Sequence, residues 1–248
     1  MLQTFDNLEG FAIHAAGDTL GAVKDLYFDD KEWVVRYLLI ETGSWLSSRK
    51  VLLSPISITG LNPEDKTLSV NITATQLKNS PPVDVENPIL RHHEEDFLNY
   101  YAFPIYWVGA DVWNNTNVDD QQVEEPVSGL YESMATANGG HRLRSCKEIL
   151  RYYIQAVDGE IGHLAGLLID DETWAIRYFI INTSNWWFGH QVLIAPQWIS
   201  RINDPEEKLH VDISRELIQS APHYDATIPI NRELELQTYQ HYNRKVYW

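Results

Sequence analysis

The chain has 248 residues and a mass of 28.7 kDa, a length that suits one large domain or two ordinary ones. Hydrophobic residues make up 44% and charged residues 22%, which excludes a largely disordered or collagen-like chain. The formal net charge of −16 disfavours binding to nucleic acid or to an anionic membrane surface, because both require protein cations.

Three further features define the expected compartment. No apolar run approaches the roughly 20 residues needed to span a bilayer. The first residues lack the basic stretch and apolar core of a secretory signal. The single cysteine, Cys146, excludes an intrachain disulfide and a cysteine-based zinc site. We therefore expect a cytoplasmic protein without a membrane span.

An internal repeat organises the sequence. Shifting the chain by 141 residues aligns 8–107 with 149–248 without a gap, and 29 of those 100 positions are identical. A gapless match of this length predicts a tandem duplication. The identical pairs include Gly21 and Gly162, Trp33 and Trp174, Tyr37 and Tyr178, Thr42 and Thr183, Tyr106 and Tyr247, and Trp107 and Trp248.

The repeat divides the chain into three parts. The first copy with its C-terminal helices covers 1–107, and the second covers 149–248. The segment 108–148 between them is predicted to be an acidic and polar linker. Its low apolar content and clustered polar residues cannot bury enough surface to offset the entropy of ordering.

Strand signals come first in each copy. Gly17-Asp18 and Asp158-Gly159 suit the tight turns that close twisted hairpins. The segment 33–40 is rich in β-branched and aromatic residues and predicts a strand covered on both faces. Further strands are predicted at 26–28, 51–53 and 68–72. Short strands at this spacing indicate a small antiparallel barrel or sandwich.

Helix signals come late in each copy. Thr73 and Gln76 fit a capping box, and the helix that follows should stop before Pro81. A second helix should begin near Pro88, since proline suits the first turn. The predicted fold class is therefore mainly β, with two tandem small antiparallel barrels, each followed by short C-terminal α-helices.

Four motifs occur in order between 162 and 199: an Asp-Asp turn, a Trp-x-Ile-Arg-Tyr strand, a Thr-x-x-Trp loop and a Val-Leu-Ile-x-Pro strand. Together, and repeated in the first copy, they resemble the PRC-barrel family. This family is similar to the cytoplasmic domain of the photosynthetic reaction centre H subunit and to a domain of a ribosome maturation factor. In both, the barrel docks and assembles rather than catalyses.

The resemblance implies a fold more strongly than a partner. The membrane helix of the H subunit is absent here, as is the companion N-terminal domain of the maturation factor. The closest description is a stand-alone tandem-barrel bacterial protein, and any photosynthetic or membrane-complex association is left open.

Two arginines, Arg36 and Arg177, lie within strands on otherwise apolar faces. A buried guanidinium needs an ionic partner and hydrogen bonds. We interpret both as structural ion pairs that fix the fold, and an anion-binding role is the alternative. The candidate partners are Asp29, Asp30 and Glu41 for Arg36, and Asp170 and Asp171 for Arg177.

Aromatic loops follow the central strands. One tryptophan in each loop, Trp45 or Trp186, is interpreted as structural, whereas Trp187 and Phe188 have no counterpart in the first copy. Exposed tryptophans are frequent interface anchors. All four residues are candidate partner-binding residues, and the extra pair is predicted to contact a partner, the other barrel or a second chain.

The late helices carry one repeated charge pair. Arg91 with Glu94, and Arg232 with Glu235, are spaced i,i+3 and should pair on the helix surface. The cluster 92–96, which includes His92, is the only one with metal-ligand chemistry. We interpret it as a solvated helix face, and we predict no metal site and no cofactor. The aromatic pairs that end each copy should tie the terminal segments to the barrels.

Motifs of known enzymes are missing from the sequence, including the nucleophile elbow, the P-loop and the dinucleotide-binding glycines. Cys146 lies beside Lys147 but has no evident base. We therefore predict a non-catalytic adaptor that docks on a protein complex through its aromatic loops and the groove between the barrels. The alternative is a sensor that binds a small ligand, an anion or a metal between the barrels. The partner's identity and a homo-oligomeric state are left open.

Overall fold

The computed structural model describes residues 1–15, 17–82, 89, 91–107, 142–183 and 190–248. Two sheets of seven strands dominate it, so the protein is mainly β with a few helices. The strands of the first half are β1 Leu2–Thr4, β2 Ala12–Ala15, β3 Asp18–Asp29, β4 Val34–Thr42, β5 Lys50–Leu53, β6 Ile58–Asn62 and β7 Thr67–Val70. Those of the second half are β8 Leu143–Ser145, β9 Tyr153–Ala156, β10 Gly159–Asp170, β11 Ile176–Asn182, β12 Gln191–Ile194, β13 Ile199–Asn203 and β14 Lys208–Val211.

Short helices flank the strands. They are α1 Phe5–Leu8, α2 Ala74–Lys78, α3 Arg91–Tyr101, α4 Cys146–Ile149, α5 Arg215–Gln219 and α6 Arg232–His241. The capping box predicted for α2 is present: the Thr73 hydroxyl accepts from the Gln76 N–H, and the Gln76 side chain accepts from the Thr73 N–H. None of the helices in the described ranges is both long enough and apolar enough to cross a membrane.

Six strands of each sheet repeat one order. The first sheet runs β5-β4-β3-β2-β7-β6 and the second runs β12-β11-β10-β9-β14-β13. Neighbours are antiparallel except for β2 with β7 and β9 with β14, which are parallel, so the sheets are mixed and not purely antiparallel as predicted. Hairpins connect β2 with β3 and β9 with β10 as predicted, but the turns lie one residue earlier than predicted. Asp18 and Gly159 are the first residues of β3 and β10 and stand opposite Ala15 and Ala156.

The seventh strand of each sheet comes from the other half. β1 pairs with β10, with Leu2 opposite Asp170 and Thr4 opposite Leu168. β8 pairs with β3, with Leu143 opposite Asp29 and Ser145 opposite Tyr27. The two halves therefore complete each other's sheets by a reciprocal strand exchange.

A second contact joins the halves where β4 and β11 begin. Val34 forms an antiparallel bridge with Ala175. The Val35 N–H donates to the Trp174 carbonyl at 2.8 Å, and the Ile176 N–H donates to the Trp33 carbonyl at 2.7 Å. We call this bridge and the two exchanged strands together the joint.

Two sequence predictions differ from the observed architecture. In the described chain the strand order runs from β5 to β6 without closing into a ring, because the 3-10 turn Pro55–Ser57 leads β5 directly into β6 instead of into a hairpin between them. The predicted linker also ends too late, since 143–148 supply β8 and the start of α4. Three residues carry no periodic signal, and β8 is a strand only because β3 pairs with it.

The central strand β4 is covered on both faces, as predicted. Tyr37 and Leu39 are buried on one face, and Leu38 and Ile40 are buried on the other. The glycine shared by both copies, Gly21 and Gly162, permits a close approach to β4 in the first half and to the equivalent strand β11 in the second. A Cβ at Gly162, where φ is +64°, would lie 1.7 Å from the Asn182 carbonyl oxygen, and one at Gly21 would lie 2.3 Å from that of Glu41.

Candidate functional site

The first aromatic loop presents Trp45 at the surface. A 3-10 turn, Ser44–Leu46, carries the indole, and Ser47 and Ser48 follow with positive φ. The Trp45 Nε1–H donates to the Leu20 carbonyl at 2.9 Å, yet the side chain remains 42% exposed. One edge of the ring is thus fixed to the sheet while the remainder faces outward, which is the geometry of an anchored contact residue.

The second aromatic loop lies outside the described residues at 184–189, which include Trp186, Trp187 and Phe188. The residues that bound both loops are described and form the same closure. The Thr42 hydroxyl donates to the Arg49 carbonyl, and the Thr183 hydroxyl donates to the His190 carbonyl, each at 3.0 Å. The repeated threonine therefore closes each loop at its base.

The two mid-strand arginines have different surroundings. Arg177 donates from Nη2 to Asp170 Oδ2 at 3.1 Å and lies over the Tyr247 ring at 4.5 Å. Arg36 is buried and lies over the Tyr106 ring at 4.0 Å. Each guanidinium therefore packs on the tyrosine that precedes the last residue of its own copy.

The carboxylates proposed for these arginines are distributed across the molecule. Burial opposes ionisation of Asp170, but the N–H groups of Thr173 and Glu172 and the Arg177 guanidinium outweigh it and lower the pKa of Asp170. Two other candidates bind elsewhere. Glu41 pairs with Lys24, and Asp171 accepts from Gln3.

Asp30, another of the candidates for Arg36, pairs across the joint. Arg144 Nε donates to Asp30 Oδ2 at 2.8 Å, and Arg144 Nη1 donates to Asp204 Oδ1 at 2.5 Å. Burial lowers the pKa of Arg144, but its hydrogen bonds with Asp30 and Asp204 outweigh this and raise it. Arg144 stands on β8, so this ion-pair network fixes the exchanged strand to the first sheet. The sequence offered no signal for it, since Arg144 lay in the predicted linker.

Asp25 fixes the C-terminal end of the same strand, β8. Its carboxylate accepts the Leu26 and Lys147 N–H groups at 2.8 and 3.2 Å and the Ser145 hydroxyl at 2.5 Å. Burial raises the pKa of Asp25 despite these donors. The matching position in the second half is Gly166, so only the first half has this anchor.

A buried carboxylate joins helix, sheet and terminal segment in each half. In the second half, Glu235 Oε2 accepts the hydroxyls of Tyr178 and Tyr247, both at 2.8 Å. In the first half, Glu94 Oε2 accepts those of Tyr37 at 3.1 Å and Tyr106 at 2.6 Å. We call each set a Tyr–Glu–Tyr clamp. Its signal in the sequence was the identity of all three residues in both copies.

The clamps define the roles of the predicted helix pairs. Arg232 Nη1 lies 3.3 Å from Glu235 Oε1, and its guanidinium covers Trp248 at 4.3 Å. The Arg91 side chain lies outside the described residues, so its predicted pairing with Glu94 stays a prediction. Glu94 and Glu235 are themselves buried rather than on the helix surface, because they receive the tyrosine hydroxyls.

Within the described ranges, the side chains form neither a cluster of metal ligands nor a site around an activated cysteine. No group of three or more His, Cys, Asp or Glu side chains there could hold a metal ion. His92 and His93 contact each other on the exposed part of α3. Cys146 is fully buried, and burial raises the pKa of its thiol well above the ordinary value. A thiol in this state is a poor nucleophile at neutral pH.

Comparison with known proteins gives a match for part of the first half. A family model for the PRC-barrel domain matches residues 5–77, which extend from α1 into α2. The matched range contains the six strands that the first half contributes to its own sheet, and β8 lies outside it. No curated protein matches the chain.

Proposed function

Residues 5–77 are a PRC-barrel domain, and on that premise we propose that the chain is a non-catalytic adaptor that docks on a protein complex. The PRC-barrel is a general protein-interaction fold. We further propose that the second half is a second unit of the same type. The repeated strand order, the repeated threonine closure and the repeated Tyr–Glu–Tyr clamp support this extension.

The observation that carries the adaptor role is the anchored, exposed Trp45. An indole held by one hydrogen bond loses little freedom on binding, and a desolvated tryptophan is a frequent source of binding energy. The equivalent loop, with Trp186, Trp187 and Phe188, is proposed as the second contact. An adaptor with two such loops would engage its partner at two points and gain avidity.

The test is affinity capture from the native cell with four proteins, quantified by mass spectrometry: wild type, Trp45→Ala, Trp187→Ala/Phe188→Ala, and Tyr153→Ala as control. Tyr153 is also 42% exposed, but it belongs to β9 and not to either aromatic loop. We expect one complex captured by the wild type and the control and depleted at least tenfold by either loop variant. Equal capture by all four proteins, with equal thermal unfolding, would reject the aromatic loops as the docking surface.

A further inference from the structure

The joint has the symmetry of a dimer interface. Residues 2–4 pair with 168–170, and 141 positions further along 143–145 pair with 27–29. The hydrogen bonds of Val35 and Ile176 obey the same rule. The contacts that the first half makes with the second are therefore the same as those that the second makes with the first. Such a contact is isologous, as in a two-fold homodimer.

We propose that this joint also forms between two chains, so that a second copy of the protein supplies β8 to the first sheet and receives β1 on its second sheet. The product is a strand-exchanged dimer with two complete joints. Every contact of the joint is present in both forms, and only the chain that supplies it changes. The inference does not depend on the adaptor role.

The balance between the two forms is set by protein concentration. The halves of one chain are tethered, and tethered sites reach effective concentrations of about millimolar. The monomer therefore dominates in dilute solution, and the dimer gains as the concentration during refolding approaches that value. A dimer formed in this way separates only when the joint breaks, so it persists after dilution.

The Asp30–Arg144–Asp204 network allows a charge-swap test. Asp30 belongs to the first half, whereas Arg144 and Asp204 belong to the second. Asp30→Arg in one chain places two guanidinium groups against each other at its own joint. Arg144→Asp with Asp204→Arg in another chain places two carboxylates there. Each variant alone therefore opposes the one-chain joint.

Mixing the two variants restores opposite charges at both joints, but only in the mixed dimer. One chain is labelled with ¹⁵N, the two are refolded together, and native mass spectrometry and light scattering give composition and mass. We expect a mixed dimer of about twice 28.7 kDa that survives dilution. A single chain with all three substitutions is the control, because it restores the joint within itself and should stay monomeric.

A mixture that refolds without a mixed dimer overturns the proposal. If the variants do not refold, labelled and unlabelled wild type are refolded together at about 1 mM and at about 5 µM. The proposal then requires a mixed dimer after refolding at the higher concentration and none when native chains are mixed. Its absence after refolding at 1 mM overturns the proposal equally.

Discussion

Trp33 and Trp174 adopt the same left-handed backbone conformation, with φ of 57° and 58°, and each offers its carbonyl oxygen to the other half. A positive φ is costly for a bulky residue and persists only where the surroundings enforce it. Here the strain occurs at two equivalent turns and directs both carbonyls toward the joint. The Asp-Asp turn and the tryptophan that follows it are therefore part of the contact between the halves.

The first prediction concerns the buried carboxylate of Asp25. Burial raises its pKa in the folded state, so folding favours the protonated form and ionisation costs stability. The wild type should lose stability relative to Asp25→Asn as the pH rises from below the unfolded value of about 3.9 through the raised folded pKa. Asparagine keeps an acceptor for the Leu26 and Lys147 N–H groups. Urea unfolding at pH 3.5 and pH 7.5 measures the difference.

Asp170 supplies a control of opposite sign. Its pKa is lowered on folding, so its ionised form contributes stability above the unfolded pKa that is lost as the pH falls through the folded value. Asp170→Asn should therefore cost more stability at pH 7.5 than at pH 3.5. A stability difference between Asp25→Asn and the wild type that does not change with pH would contradict the assignment for Asp25.

The second prediction uses Cys146 as a reporter of the joint. The thiol follows β8 directly and is fully buried, so a thiol reagent reaches it only when this segment opens. Arg144→Ala removes both ion pairs of β8 and should accelerate labelling by Ellman's reagent at pH 8 at least tenfold. Arg215→Ala, which removes an exposed pair with Asp158, should leave the rate unchanged. Equal labelling rates in the wild type and both variants would show that the ion pairs of Arg144 do not control the opening that exposes Cys146.

The third prediction concerns the Tyr–Glu–Tyr clamp of the second half. Tyr247→Phe and Tyr178→Phe each remove one hydrogen bond to the buried Glu235 carboxylate and should each cost about 2 kcal/mol of unfolding free energy. Because both hydroxyls serve one oxygen, their effects should be coupled. A double-mutant cycle measured by denaturant unfolding tests this, and strict additivity would argue against a shared acceptor.

Whether a structural feature could be predicted from the sequence depends on how far apart in the chain its interacting residues lie. Hairpins, the capping box and the central strand β4 follow from local patterns, which fix turn chemistry and periodicity within a few residues. The exchanged strands do not, because three residues carry no period and their partners lie far away in the chain. Arg144 and Asp25 acquire their roles only through that exchange. The pairing of Tyr178 with Glu235 also spans 57 residues, and only the repeat marked both positions.

The fourth prediction tests the close approach at the repeated glycine. Gly162→Ala places a Cβ against the Asn182 carbonyl at a positive φ, and we expect a loss of about 3 kcal/mol or more in the free energy of unfolding. Gly60→Ala is the control, since the nearest atom to its Cβ would be 3.8 Å away. That change should stay within about 1 kcal/mol. Similar losses of unfolding free energy at both sites, measured by denaturant unfolding, would contradict the close approach of Gly162 to the Asn182 carbonyl.

The reciprocal joint is tested most directly by disulfide trapping in a Cys146→Ser background. Gln3 stands opposite Ile169 in the pairing of β1 with β10, so Gln3→Cys/Ile169→Cys should form a disulfide under mild oxidation. The control, Gln3→Cys/Leu168→Cys, moves the second thiol by one residue to the opposite face of β10. Peptide mapping by mass spectrometry should find the 3–169 crosslink in high yield and the control crosslink at a low level. A folded protein that gives neither crosslink, or both equally, would contradict the strand exchange between the two halves.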